Sequence, residues 1–140
     1  MQKDTSKIVE ELGLSPDFKT FYAENKDYMV TDNLSALLAR LLVEKNLKKS
    51  QVIKASELAE VYGYQIFSGV RVPERKKLLA LAVGMELNIE QAQQLLKCAG
   101  YSQLYVKLPF DSIVLYGLCK QLSVLQINEL LYEYGLETLG

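Results

Sequence analysis

Apolar residues recur along most of the chain at spacings of three and four, which is the period of an α-helix with one buried face. The clearest case begins after Asp32 or Asn33, either of which can cap a helix, and runs to about Asn46. Its inward positions are Leu34, Leu37, Leu38, Leu41 and Leu42. No run alternates apolar and polar residues long enough to predict a strand, although the stretch 103–110 is short and ambiguous. The pattern therefore predicts an all-helical protein.

Two short helices separated by a turn are predicted next. The first lies within residues 48–56, with Val52 and Ile53 as its inward pair, and the turn follows at 56–58. The second begins near residues 59–60 and stops at Gly69, because glycine readily adopts the left-handed conformation that ends helices.

Later helices are predicted from their first residues. Pro73 suits the first turn of a helix that runs to about Met85. Asn88, Asp111 and Ser123 are then placed to cap three further helices. The first 32 residues predict only one or two short helices.

Positive charge is concentrated in one third of the chain. The 140 residues have a net charge of −1, yet residues 33–77 contain nine basic and four acidic side chains. The segments on either side, 1–32 and 78–140, each have a net charge of −3. A basic segment of this kind could hold nucleic-acid phosphates, or it could be a solvated face of surface lysines.

The composition excludes most of the common catalytic mechanisms. Histidine is absent, and Cys98 and Cys119 lie in apolar helical patterns typical of reduced core cysteines. We therefore expect no metal site, no cofactor and no enzymatic activity. The glutamates of the last helix are interpreted as a solvated face; they are Glu129, Glu133 and Glu137. No long apolar run or secretory signal is present, so we expect a cytoplasmic protein without a membrane partner.

From about Leu34 to Met85 the sequence resembles the lambda repressor-like (Cro/Xre-type) helix-turn-helix family of bacterial and phage regulators. The features that carry the resemblance are the Val52-Ile53 pair, Leu58 at the turn, IFSG at residues 66–69 and GVRVP at residues 69–73. A looser resemblance links the C-terminal stretch to the helical extensions of some small bacterial regulators.

The resemblance implies three regions. Residues 1–32 are an N-terminal helical lead-in, 33–87 are the helix-turn-helix module, and 88–140 are a C-terminal helical extension packed on the module as one compact unit. It also implies that the module binds double-stranded DNA and that two copies form a homodimer through the C-terminal helices. The implied function is that of a sequence-specific transcriptional regulator.

Together, the resemblance and the charge pattern assign residues to the DNA. The helix from Glu60 to Phe67 is expected to dock in the major groove. The residues expected at base edges are Lys49, Glu60, Val61, Tyr62, Tyr64 and Gln65. The residues expected at phosphates are Lys48, Lys54, Ser68, Arg71, Arg75, Lys76 and Lys77.

The chain departs from the family pattern at several positions. Lys49 stands where the family commonly has glutamine, Ser56 where an apolar residue is usual, and Gly63 where a buried β-branched or leucine side chain is usual. The reading helix also has neither arginine nor lysine, so the commonest specific contact, arginine to guanine, is missing from it. The alternative hypothesis is therefore an adaptor that keeps the scaffold but binds a protein partner.

Overall fold

The computed structural model describes residues 5–25 and 33–140. Within these ranges it contains nine α-helices and no strand, which confirms the prediction of an all-helical protein. The ambiguous stretch 103–110 forms a connector and the start of a helix. The helices are α1 (Thr5–Leu14), α2 (Phe18–Asn25), α3 (Leu34–Glu44), α4 (Lys49–Ala55), α5 (Glu60–Ser68), α6 (Arg75–Gly84), α7 (Ile89–Cys98), α8 (Pro109–Lys120) and α9 (Val124–Glu133).

Helices α1 and α2 form one compact unit, and α3–α9 form the other. In α2 the ring centroid of Phe18 lies 5.9 Å from that of Phe21 and 6.1 Å from that of Tyr22. The backbone N–H of Thr20 donates to the Asp17 carboxylate at 2.7 Å. This bond lowers the pKa of Asp17, because it favours the charged form of the carboxyl group.

Helix α3 begins and packs as its pattern predicts. The side chain of Asn33 accepts a hydrogen bond from the Ala36 N–H at 2.9 Å and caps the helix. The other predicted cap, Asp32, lies outside the described residues. The five leucines of the predicted face are buried, and the helix ends at Glu44, two residues before the predicted end.

Helices α4 and α5 approach each other closely at a glycine. Gly63 is buried in α5, and a Cβ atom built on it would lie only 2.6 Å from Cγ2 of Ile53 in α4. A larger residue at position 63 would push the helices apart, because Ile53 already fills that space. The glycine therefore serves this packing, although it costs about 1 kcal/mol of helix propensity relative to alanine.

A second pair of small residues joins α4 to α6. Ser56 is buried at the end of α4, and its hydroxyl donates to the carbonyl of Val52 at 2.7 Å. A Cβ atom built on Gly84 of α6 would collide with the Ser56 hydroxyl. The serine therefore fits a site where a larger apolar residue would not, and its polar group has a partner inside the protein.

Helix α6 is the central helix of the α3–α9 unit. Its residues 78–83 are all buried, and it packs against α4, α7, α8 and α9. The helix begins at Arg75 with Glu74 as its cap residue, so the predicted place of Pro73 in the first turn is wrong. Pro73 instead precedes the cap, and its carbonyl accepts the hydroxyl of Tyr101 at 2.6 Å. This bond holds the extended segment that leads into α6.

The predicted caps of α7 and α9 are confirmed. Asn88 accepts from the backbone N–H of Gln91, and the Gln91 side chain accepts in return from the Asn88 N–H. Ser123 and Gln126 form the same reciprocal pair at the start of α9. Each pair satisfies two backbone donors that a helix start otherwise leaves without partners.

Asp111 does not cap a helix, contrary to the prediction. Helix α8 begins two residues earlier at Pro109, which suits a first turn because it has no N–H to satisfy. Asp111 is buried inside the helix, and its two carboxylate oxygens each accept from the Arg75 guanidinium at 3.1 Å. It also accepts the backbone N–H of Tyr105 at 2.9 Å. The buried charge is therefore compensated, and the ion pair joins α6 to α8.

Two smaller predictions also change. Neither cysteine is in a disulfide within the described residues, and Cys98 packs against the core, whereas Cys119 is exposed. Helix α9 ends at Glu133, so Glu137 lies beyond it and forms an ion pair with Lys76. In the part of the chain that the structure describes, no cluster of side chains could hold a metal ion. None of the described helices has the length and apolar character that a membrane span requires.

Candidate nucleic-acid interface

The α4–α5 pair is joined by a tight turn of residues 56–59. Glu57 adopts a left-handed conformation with φ of 56°, and the N–H of Leu58 bonds back to the carbonyl of Ile53. These contacts end α4 and redirect the chain within four residues. A shallow concavity of about 300 Å³ lies between the helices, lined by Ser50, Ile53, Lys54, Leu58, Glu60 and Tyr64.

Helix α5 has one buried face and one exposed face. Gly63, Ile66 and Phe67 are buried, at spacings that place them on the same side of the helix. On the other side, Val61 is 71% exposed and Tyr64 is 40% exposed. Glu60 and Ser68 are also exposed, whereas Tyr62 and Gln65 are half-buried. Of the predicted base-reading residues of α5, Glu60, Val61 and Tyr64 are therefore accessible, whereas Tyr62 packs against the core and Gln65 is only partly accessible.

Three lysines near α5 have no ion-pair partner among residues 5–25 and 33–140. Lys48 immediately precedes α4, and Lys49 is its first residue. The Lys49 ammonium lies 6.0 Å from the ring centroid of Phe67, which belongs to α5. Lys54 lies in the last turn of α4 and lines the concavity against α5. All three are exposed, so their charges are available to an external anion.

Arg71 lies beyond the end of α5 but folds back onto it. Its backbone N–H and that of Val70 both donate to the Gln65 carbonyl, at 3.2 and 3.0 Å. Its side-chain Nε donates to Oε1 of Gln65 at 2.8 Å. The guanidinium carbon also lies 5.9 Å from the ring centroid of Tyr62. A cation that the sequence places outside the helix is therefore held beside the helix.

The three basic residues at the start of α6 contact other parts of the protein. Arg75 pairs with Asp111, and its Nε donates to the carbonyl of Ser102 at 3.1 Å. Lys76 pairs with Glu137 and lies 5.9 Å from the ring centroid of Phe110. Lys77 lies against Gly140. A phosphate contact at Arg75 or Lys76 would have to compete with these internal partners, most strongly at Arg75.

Two contacts determine how these arginines can meet a ligand, and neither was predicted from the sequence. Arg75 and Asp111 are 36 residues apart, so no local periodicity links them. A signal was present, however, because Asp111 stands in an apolar helical pattern, and a buried carboxylate requires a cationic or hydrogen-bonding partner. The bond between Gln65 and Arg71 spans a helix end, where spacing rules stop applying.

Comparison of the chain with protein-family models, curated proteins and solved structures gave no match. The family resemblance therefore depends on residues 52–53, 58 and 66–73 alone.

Proposed function

We propose that the α4–α5 pair is a helix-turn-helix that binds double-stranded DNA, and that the protein is a sequence-specific transcriptional regulator acting in the cytoplasm. The observation that carries the proposal is the set of accessible cations around an exposed helix face. The set consists of Lys48, Lys49, Lys54 and Arg71. The proposal includes no catalytic step, cofactor or metal.

In this proposal the lysines bind phosphates and α5 enters the major groove, which is about 12 Å wide and admits a helix. Exposed Glu60 can accept a hydrogen bond from cytosine N4, and exposed Val61 can contact a thymine methyl group. Tyr64 lies further along the same exposed side and has a hydroxyl group for a base or a phosphate. Ser68 is exposed as well, but its hydroxyl donates to the Gln65 carbonyl at 3.1 Å, and a phosphate contact would have to replace that bond.

Binding to a labelled random-sequence duplex at low salt tests the proposal. We expect the wild type to bind and the triple variant Lys48→Ala, Lys49→Ala, Lys54→Ala to bind far more weakly, because three phosphate contacts are lost. The matched control is Lys97→Ala, Lys107→Ala, Lys120→Ala, which removes the same charge from exposed positions elsewhere. Equal losses of affinity in both variants would mean that binding depends only on net charge and would contradict the proposed site.

The competing function is that of a protein-binding adaptor on the same scaffold. The observation that favours it is the apolar character of some exposed side chains near α5: Val61, Val70 and Val72 are each about 70% exposed. A protein partner retained after nuclease treatment, together with no retardation of DNA at low salt, would support the adaptor over the regulator.

A homodimer through the C-terminal helices belongs to the same proposal, because a two-fold operator is read by two copies. An apolar groove of about 750 Å³ between α8 and α9 supports it. The groove is lined by Pro109, Ser112, Ile113, Tyr116, Leu130, Tyr134 and Leu136. Light scattering should give the mass of two chains for the wild type and of one for Tyr134→Glu, a position that is 69% exposed and therefore tolerant of charge. A monomeric wild type would contradict the dimer.

A further inference from the structure

Helix α5 lacks the side chain that most often specifies a base pair. Its nine residues, EVYGYQIFS, include neither arginine nor lysine. Arginine binds O6 and N7 of guanine with two parallel hydrogen bonds, which is the commonest specific contact in the major groove. The structure supplies an arginine from outside the helix, because Arg71 folds back onto the side of α5 that carries Gln65.

The contacts of Arg71 fix its direction as well as its position. The carbonyl of Gln65 accepts the Arg71 N–H, which holds the backbone against the helix end. The Gln65 side chain accepts a hydrogen bond from Nε of the same arginine, and the guanidinium group lies near the Tyr62 ring. Gln65 engages Nε, and the two terminal nitrogens Nη1 and Nη2 form no hydrogen bond with the described residues, so both are left to bind a ligand. These are the nitrogens that match O6 and N7 of a guanine.

We propose that Arg71 is the guanine-reading residue of this interface and that Gln65 is the positioning residue that orients it. The proposal rests on the proposed DNA binding and deepens it. It reassigns both residues, since Arg71 was expected at phosphate and Gln65 at a base edge. Gln65 acts through Arg71, because its Oε1 already accepts the arginine Nε.

The restraint on Arg71 is the reason to favour a base over a phosphate. A phosphate contact needs a positive charge near the backbone, and a mobile lysine such as Lys48 supplies it without a fixed direction. A guanine contact needs a guanidinium group held in one plane and at one angle. Holding Arg71 in advance lowers the conformational entropy that binding would otherwise cost.

Selection of bound duplexes from a random library, at one stated salt concentration, tests the assignment. We expect the wild type to select guanine at one position of each half-site. Arg71→Lys keeps the charge but loses the planar fork, so its preference for that guanine should fall roughly 5- to 150-fold. Gln65→Leu should lose much of the same preference even though Arg71 remains. Lys54→Ala is the comparison, because loss of a phosphate contact should weaken binding to all sequences and leave the selected sequence unchanged.

Three results would overturn the proposal, and they are distinguishable. If Arg71→Lys and Gln65→Leu select the same sequence as the wild type, Arg71 does not read a base, although DNA binding stands. If Arg71→Ala weakens binding to all sequences equally and makes the slope of log affinity against log salt shallower by about 0.9 for each copy bound, Arg71 binds a phosphate. If the wild type retains no DNA, the proposed function fails and the assignment fails with it. Circular dichroism of each variant checks that the fold is retained.

Discussion

The basic segment 33–77 contains two groups of cations that its sequence does not distinguish. Around α5, Lys48, Lys49 and Lys54 are exposed and form no ion pair within the described part of the chain. At the start of α6, Arg75 and Lys76 pair with the carboxylates of Asp111 and Glu137. The difference teaches that the net charge of +5 in this segment combines charges that can meet a ligand with charges that hold the protein together.

The difference between the two groups of cations can be tested first at the ion pair between Arg75 and Asp111. Asp111→Ala leaves the Arg75 guanidinium without its carboxylate partner, and loss of one partner of a buried pair typically costs about 3–5 kcal/mol. We therefore expect the free energy of unfolding in urea to fall by that amount. Glu129→Ala, which removes an exposed carboxylate from α9, is the control and should change it little. A loss below about 1 kcal/mol for Asp111→Ala would show that the pair does not hold α8 to α6.

The packing beneath the α5 surface gives a smaller effect. Gly63→Ala places a Cβ atom against Ile53, and overpacking of this kind typically costs about 1–3 kcal/mol. Alanine raises helix propensity by about 1 kcal/mol relative to glycine, so a net loss would show that the contact outweighs propensity. Gly13→Ala in α1 is the matched control, because among the described residues no atom beyond the neighbouring backbone of α1 lies within 4 Å of the added Cβ. If Gly63→Ala stabilises the protein in thermal unfolding, the close approach of α4 and α5 is wrong.

The smallest expected effect is at the exposed ion pair. Glu137 is 82% exposed in its side chain, and exposed pairs contribute about 0–1 kcal/mol. Glu137→Gln should therefore leave the midpoint of urea unfolding almost unchanged. It should, however, free the Lys76 ammonium, and affinity for a random duplex should rise slightly at low salt. A lower affinity would show that Glu137 does not compete with phosphate for Lys76.

Much of the helical fold could be predicted from local chemistry. Asn33, Asn88 and Ser123 cap their helices as expected, because the oxygen of a short polar side chain before a helix can accept a backbone N–H of the first turn. The same rule was wrong for Asp111, where a partner 36 residues away decides its role. A cap rule considers only neighbours in sequence, so it cannot distinguish a helix start from a buried ion pair.

The candidate site could be predicted only in outline. The turn and Gly69 predicted where α4 and α5 end. The family resemblance predicted which residues between and around these ends contact DNA. Which cations are accessible depends on tertiary contacts, as the internal partners of Arg75 show. The orientation of Arg71 depends on Gln65 across a helix end, and spacing along the sequence does not determine it.

The most direct test of DNA binding through the α4–α5 surface is the salt dependence of affinity for a random-sequence duplex. We expect log affinity of the wild type to fall steeply with log salt, at roughly −0.9 per phosphate contact. The triple variant Lys48→Ala, Lys49→Ala, Lys54→Ala should have a slope that is shallower by about 2.7 for each copy bound, since each copy loses three contacts. The triple variant at Lys97, Lys107 and Lys120 should keep the wild-type slope. A wild-type affinity that does not change with salt, or one that both triple variants leave unchanged, would contradict DNA binding through this surface.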